Sequence, residues 1–274
     1  MTIEEFRKTI LDYYACFGRD FPWRTGADPW GVVVSEFMLQ QTQTARVVAY
    51  WERWMKKWPA PSDLASASLE DAVREWSGLG YNRRAKYLWE CSRAITENYD
   101  GRVPETPEAL LTLPGIGPYS AGAIACFAWN YPSVFIETNI RSVMLHFFFQ
   151  DKTEVRDEDL FPLLSASMDR ENPRTWYWAL MDYGAELKKT TANPGRKSAA
   201  YVRQSRFKGS LREIRGAIVR KLAGQGRQNG KALLEGVKAE LEELREEDFH
   251  RALASLKKDM MVAEKEGLYC IDGR

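Results

Sequence analysis

Apolar residues recur at intervals of three and four along almost the whole chain, and this spacing limits the fold more than any other feature. In "IEEFRKTILDYYACF", Phe6, Ile10, Tyr13 and Phe17 fall on one face of a helix. The same period predicts helices at about 31–40, 44–57, 69–77, 82–98, 107–113, 119–129, 139–149, 157–168 and 175–189. Turns such as "WPAPSD", "NYDGRVPE" and "QDKTE" separate several of them. An all-α body over residues 1–189 is the reading that follows. From 190 to 209 the texture changes: "TTANPGRKSAAYVRQSRFKG" is short of aliphatics and rich in Lys and Arg, as in a basic linker or arm. Helical patterns at 212–222, 230–244 and 247–259 then lead into "MMVAEKEGLYCIDG", which reads as two short strands around a turn at 265–267. Three helices followed by a β-hairpin predict a winged-helix-like module at 210–274; the alternative is a plain helical packing domain.

Composition excludes several functions. No apolar run approaches the roughly 20 residues that cross a bilayer, and "MTIEEFRK" does not read as a secretory leader. A cytoplasmic monomer with no membrane partner is expected. Cys16, Cys91, Cys126 and Cys270 are too widely spaced for a Cys-x-x-Cys pair, and with only two histidines no metal-ligand set is visible. The net charge is +1, so any nucleic-acid footprint must come from local clustering of charge.

The segment "LLTLPGIGPYSAGAIACFAWN" places a sharp bend between two helices. Gly115 and Gly117 permit backbone angles that other residues avoid, and Pro118 suits the first turn of the next helix. Such a bend leaves N–H groups at a helix N-terminus pointing outward, where the helix dipole favours an anion such as a DNA phosphate. A short turn that only packs is the plainer reading of a bare Gly-x-Gly. The longer pattern "LPGIGPYSA" resembles the helix-hairpin-helix of base-excision DNA glycosylases.

That resemblance runs from about residue 21 to 187. "FPWRTGADPWGVVVSEFMLQQTQT", "GLGYNRRAKYL", "LPGIGPYSAGAI", "FIETNIRSV" and "MDYGAEL" are similar in order and spacing to segments of adenine DNA glycosylases of the MutY type. The resemblance implies a two-lobed helical fold with double-stranded DNA and an extruded base at the cleft between the lobes.

Hydrolysis of an N-glycosidic bond needs a proton for the leaving base and stabilisation of a sugar with oxocarbenium character. Paired carboxyl groups meet both needs in O-glycosidases. Glu36 lies in an otherwise uncharged helical stretch, "GVVVSEFMLQQ", where an acid with no task is costly to bury. It matches the family's catalytic acid; a helix-surface glutamate is the plainer reading. Glu137, in "SVFIETNIR", falls near a helix N-terminus, where it would complement the dipole. By resemblance it stands where the family carries a catalytic aspartate, and its extra methylene is a departure. Asn139 matches a family asparagine that positions the water or the acid. Tyr119 stands where strand-cutting relatives carry a Schiff-base lysine, so the resemblance implies a monofunctional enzyme.

The resemblance further assigns Gln40, Gln41 and Gln43 to the intercalating glutamine motif, and Tyr81 to the wedge beside the partner base. Asn82 follows the wedge, where a second tyrosine is common. Arg83, Arg84 and Lys86 form a basic cluster suited to phosphates. Phe21, Trp23 and Arg24 match base-pocket residues, and by resemblance Trp178 stands in place of a polar pocket residue. The family's iron–sulfur cluster follows "MDYGAEL" with four cysteines, yet 188–206 contains none. No cluster forms by that route; Lys188, Lys189, Arg196, Lys197, Arg203 and Arg206 are candidates to supply phosphate contacts instead. The resemblance also implies a candidate monovalent-cation site at the hairpin carbonyls near Leu113 and Gly115. The expected function is removal of adenine opposite 8-oxoguanine or guanine. The alternatives are the same chemistry on mispaired uracil or thymine, hypoxanthine or an alkylated purine, or duplex binding without catalysis.

Overall fold

The computed structural model describes residues 1–26, 28–202 and 206–272. It divides into two compact units, each assembled from separate stretches of chain: 1–32, 104–112 and 116–203 in the first, 33–103, 113–115 and 204–274 in the second. The expected boundaries at 189 and 209 do not mark the division. Residues 190–202 belong with the first unit and the C-terminal module with the second.

In the first unit lie α1 (Ile3–Phe17), a 3₁₀ turn (Pro22–Arg24), α7 (Pro107–Leu110), α8 (Pro118–Trp129), α9 (Thr138–Phe148), α10 (Asp157–Ser167) and α11 (Pro173–Thr190). Helix α2 (Pro29–Leu39) begins in this unit, and the boundary falls between Val32 and Val33. The period-3.6 face of α1 buries Phe6 and Ile10, and the Phe6 ring meets Phe147, Phe148 and Trp176 edge-on at 5.0–5.7 Å. Helix α8 is buried along Ser120–Ala128, which its run of small residues permits. The basic stretch forms a 3₁₀ turn at Pro194–Lys197 and pairs with Val155, whose N–H donates to the Lys197 carbonyl at 2.9 Å. It therefore packs as part of the unit, because its backbone groups find partners there.

In the second unit lie α3 (Thr44–Lys57), α4 (Pro61–Ser66), α5 (Leu69–Trp76), α6 (Arg83–Asn98), α12 (Leu211–Gln225), α13 (Gly230–Glu240) and α14 (Glu246–Lys258). Helix α4 replaces the turn expected at "WPAPSD": Pro61 occupies its first turn, and Asp63 accepts from the Ala60 N–H at 2.9 Å. Trp54, Trp58 and Trp76 form an edge-on aromatic core. Strands β1 (Gln228–Asn229), β2 (Val262–Lys265) and β3 (Leu268–Ile271) make an antiparallel sheet in the order β1-β3-β2. Helix, short strand, two helices and a hairpin are the topology of a winged helix, with β1 as the strand too short for its pattern to reveal. Among the described residues, no helix is long and apolar enough to cross a membrane.

Candidate active site

In the first unit the N-terminus of α9 is built from Glu137, Thr138 and Asn139. Glu137 is the N-cap: one carboxylate oxygen, Oε1, accepts from the Asn139 N–H at 2.6 Å and the Ile140 N–H at 2.9 Å. Burial pushes its pKa above the ordinary carboxylate value, against the opposing pull of those two N–H donors, Lys188 and Arg141. The residue keeps some accessible surface, while its carboxylate is crowded enough for desolvation to prevail. Lys188 Nζ donates to Asn139 Oδ1 at 2.7 Å. Burial lowers the lysine's pKa, and the Glu137 carboxylate opposes that shift. Helix α11 comes close enough for this contact because Gly184 faces the Asn139 backbone: a Cβ there would sit 2.5 Å from the Asn139 carbonyl oxygen.

The four expected base-pocket residues come together in the same unit. Phe21 stacks on Trp23 at 5.0 Å, and the Arg24 guanidinium lies 5.0 Å from the Phe21 ring centre and 5.2 Å from that of Trp178. Trp178 also stacks on Phe127 at 6.0 Å. Trp23 is buried, whereas Phe21, Arg24 and Trp178 are half-buried. Arg24 is held by two 2.9 Å bonds to Asp182, which also takes three bonds from Arg19. Burial raises the Asp182 pKa, but the two guanidinium groups outweigh it and hold the carboxyl below its usual range. Tyr119, half-buried at the start of α8, packs edge-on to Phe135 at 5.8 Å.

In the second unit Glu36 is 4% exposed, on a stretch of α2 buried continuously from Gly31 to Met38. Beyond the helix, Gln41 adopts φ 54°, and Tyr81, closing "GLGY", adopts φ 49°. Both are left-handed conformations that non-glycine residues rarely hold without reason. Arg84 explains how they are held. Its guanidinium donates to the carbonyls of Phe37, Met38 and Gln40 at the end of α2, to Thr42 Oγ1, and to the carbonyls of Leu79 and Gly80. One planar fork therefore ties the glutamine turn to the wedge loop. Gly115, at φ 77°, is the hairpin position that requires glycine, since a Cβ would come within 2.6 Å of Tyr87 and 2.9 Å of Phe37. Gly117 has φ −98°, so its backbone angles do not require glycine.

A family model described as "HhH-GPD superfamily base excision DNA repair protein" matches residues 34–161. The adenine DNA glycosylase of Mycolicibacterium smegmatis is 38% identical over 231 residues, 77% of this chain and 78% of its own length. This chain belongs to the HhH-GPD superfamily of base excision DNA repair proteins. Adenine DNA glycosylase of Mycobacterium tuberculosis is 42% identical over 182 residues, 65% of this chain and 60% of the relative. The HhH-GPD chain thus spans about 60% of the length of that relative. Among solved structures, a thermostable thymine-DNA glycosylase matches with a TM-score of 0.62 and 27% identity, over 67% of this chain and 86% of that one.

Within this HhH-GPD chain, several residues expected at phosphates have partners inside the protein. Arg84 and Lys86 are each 6% exposed; Arg84 is committed to backbone carbonyls and Lys86 to the Asp259 carbonyl at 3.1 Å. Arg83 pairs with Asp259. Lys188 turns to Asn139, Lys189 pairs with Glu186 at 2.9 Å, and Lys197 bonds the Gln150 carbonyl at 2.5 Å. Arg196 and Arg206 remain exposed, and Arg203 lies outside the described residues. Gln40 and Asn82 are half-buried beside exposed Gln41, and Gln43 is exposed at the N-cap of α3. Asp182, Arg19 and Lys188 as a partner of Asn139 escaped sequence reasoning; an acid inside the apolar pattern of α11 was the one available signal. Among the described residues no three His, Cys, Asp or Glu side chains gather to hold a metal ion.

Proposed function

We propose that this chain is a monofunctional DNA N-glycosylase of base excision repair that releases adenine opposite 8-oxoguanine or guanine in duplex DNA. The observation that carries the reading is the burial of Glu36 on a helix whose surrounding residues are apolar and buried. A carboxyl group there weakens packing and finds its use in acid catalysis. Glu36 donates a proton to the departing base as the C1′–N bond breaks and its electron pair leaves with the base. Glu137 stabilises the cationic sugar, as an ion pair or a short-lived ester at C1′, until water adds. Its cap bonds both use Oε1, so Oε2 lies outside the cap. Asn139 orients the reacting groups. The names of the mycobacterial relatives support adenine as the base. We infer no iron–sulfur cluster, since 188–206 offers no thiolate.

Base release from duplexes containing 8-oxoguanine:A, G:A, G:U, G:T and hypoxanthine:T tests this reading. Adenine release that is abolished by Glu36→Gln and strongly reduced by Glu137→Gln is expected. No release from any duplex, with binding unchanged in Glu36→Gln, would establish a non-catalytic DNA-binding protein instead. A second reading, thymine removal from G:T, is favoured by the likeness to a thymine-DNA glycosylase together with Asn82 and Trp178; release from G:T in preference to the adenine pairs would establish it. Borohydride is expected to trap no covalent DNA adduct, because Tyr119 supplies no amine. A trapped species would overturn the monofunctional assignment.

A further inference from the structure

We propose that the winged helix grips the DNA strand opposite the excised base with its first helix, α12, and that Arg212 and Phe207 receive that strand's unpaired base beside Tyr81. The proposal rests on the glycosylase reading above. Within the second unit a groove of about 1130 Å³ is lined by Gln41, Arg46 and Tyr81 together with Phe207, Arg212 and Arg220. Arg212 joins the two sides: it donates to the Tyr81 hydroxyl at 2.5 Å, and its guanidinium lies 5.3 Å from the ring centres of both Tyr81 and Phe207. Two aromatic rings and a planar cation in one place make a surface on which any base can stack. Phe207 is 53% exposed, a state that costs an apolar ring contact with water unless something covers it.

Charge selects a nucleic acid as the occupant. Among the described residues, six arginines line the groove against one acid, Asp259. Arg83 and Arg215 share Asp259, Arg84 bonds carbonyls, and Arg220 pairs with Glu240 outside the lining. Arg46 and Arg212 complete a rim suited to phosphates. The left-handed backbone of Gln41 and Tyr81 falls on this rim, where stored strain marks a contact surface.

The usual nucleic-acid face of such a module is a different helix, whose N-terminal residues enter the major groove. Here the corresponding helix is α14, and it is poorly suited. Its first turn carries Glu246, Glu247 and Asp248, which repel phosphates. Its far end is docked into the protein: the Asp259 carboxylate takes Arg83 and Arg215, and its carbonyl takes Lys86. Helix α12 carries Arg212, Arg215 and Arg220 along the groove instead.

The test uses the full chain carrying Glu36→Gln to prevent turnover, with fluorescence anisotropy on duplexes that place 8-oxoguanine, guanine, cytosine or an abasic residue opposite adenine. Arg212→Ala and Phe207→Ala are each expected to weaken binding about tenfold when a base is present opposite, and far less when that residue is abasic. The dependence on the opposite base then collapses. Arg212→Lys keeps the charge without the planar fork, so it should retain the salt dependence and lose the base dependence. Thermal unfolding checks that each variant is folded; Phe207, being exposed, can be removed even if Arg212 cannot. Unchanged base dependence in Arg212→Ala and Phe207→Ala overturns the proposal, as does base dependence that shifts with Glu246→Ala and Glu247→Ala on α14. Base release by the unmutated chain is read separately, so a failed glycosylase reading and a misplaced partner strand give different results.

Discussion

Lys188 Nζ sits 2.7 Å from Asn139 Oδ1. An ammonium group only donates, so the contact fixes which way the asparagine amide points and leaves Nδ2 as a donor on the other side. The contact makes Lys188 a candidate positioning residue for Asn139, on the glycosylase reading proposed above. Lys188→Met is expected to lower the single-turnover rate about 10–100-fold, the scale of a misplaced catalytic group, while duplex affinity and its salt dependence change little. Lys188→Arg should recover part of the rate. A loss confined to affinity, steepest at low salt, would return Lys188 to the phosphate-binding role.

Arg84 is 6% exposed, and burial lowers its pKa to about 10, so it keeps its charge at neutral pH. Replacing it with methionine leaves several buried carbonyls without a donor, for an expected loss of about 3 kcal/mol or more. Urea unfolding measures this. Because the same fork holds Gln41 and Tyr81, Arg84→Lys should weaken duplex binding more than its stability loss alone implies.

Asp182 has no side-chain exposure and Arg24 only 8%, so the pair is buried. Asp182→Asn removes the counter-charge of two guanidinium groups and is expected to cost about 3–5 kcal/mol. The wild-type carboxyl has a depressed native pKa. Its contribution is therefore present above the ordinary aspartate value and is lost as pH falls through the native one. The stability gap between wild type and Asp182→Asn should narrow in acid, as thermal melts across that range will report.

Glu137 has the opposite sign. Its native pKa is raised, chiefly by burial, so folding favours the protonated form and ionisation weakens the fold as pH rises above the ordinary glutamate value. Glu137→Gln, which still offers an oxygen to the cap, is expected to melt higher than wild type at neutral pH, by about 2–4 °C for each kcal/mol relieved. The advantage should vanish as pH falls below the ordinary glutamate value. A lower melting temperature at neutral pH would show that the charged cap, not the buried charge, dominates.

Much of this was legible in the sequence because it depends on local geometry. The period of α1 and of α6, the cap at Glu137 and the β2–β3 hairpin are set by residues a few positions apart. The pairing of Phe21, Trp23, Arg24 and Trp178 was legible only through resemblance, since its ends, Phe21 and Trp178, lie far apart in the chain. The burial of Arg84 and Lys86 against backbone carbonyls was not legible, because a basic residue in a sequence looks the same whether it faces water or a carbonyl.

The sequence by itself determined the helices, the bend at Gly115 and the placing of Glu36 on α2 and Glu137 at the start of α9, because backbone angles and helix periodicity act over a few residues. Tertiary structure alone decided which cations the protein's own groups hold. Lys188 was drawn to Asn139 because Gly184 lets α11 approach that backbone, and Arg84 was buried where the end of α2 and the wedge loop present their carbonyls together. Those partners lie far apart in sequence, and the desolvation that commits a charge to them exists only once the chain has packed.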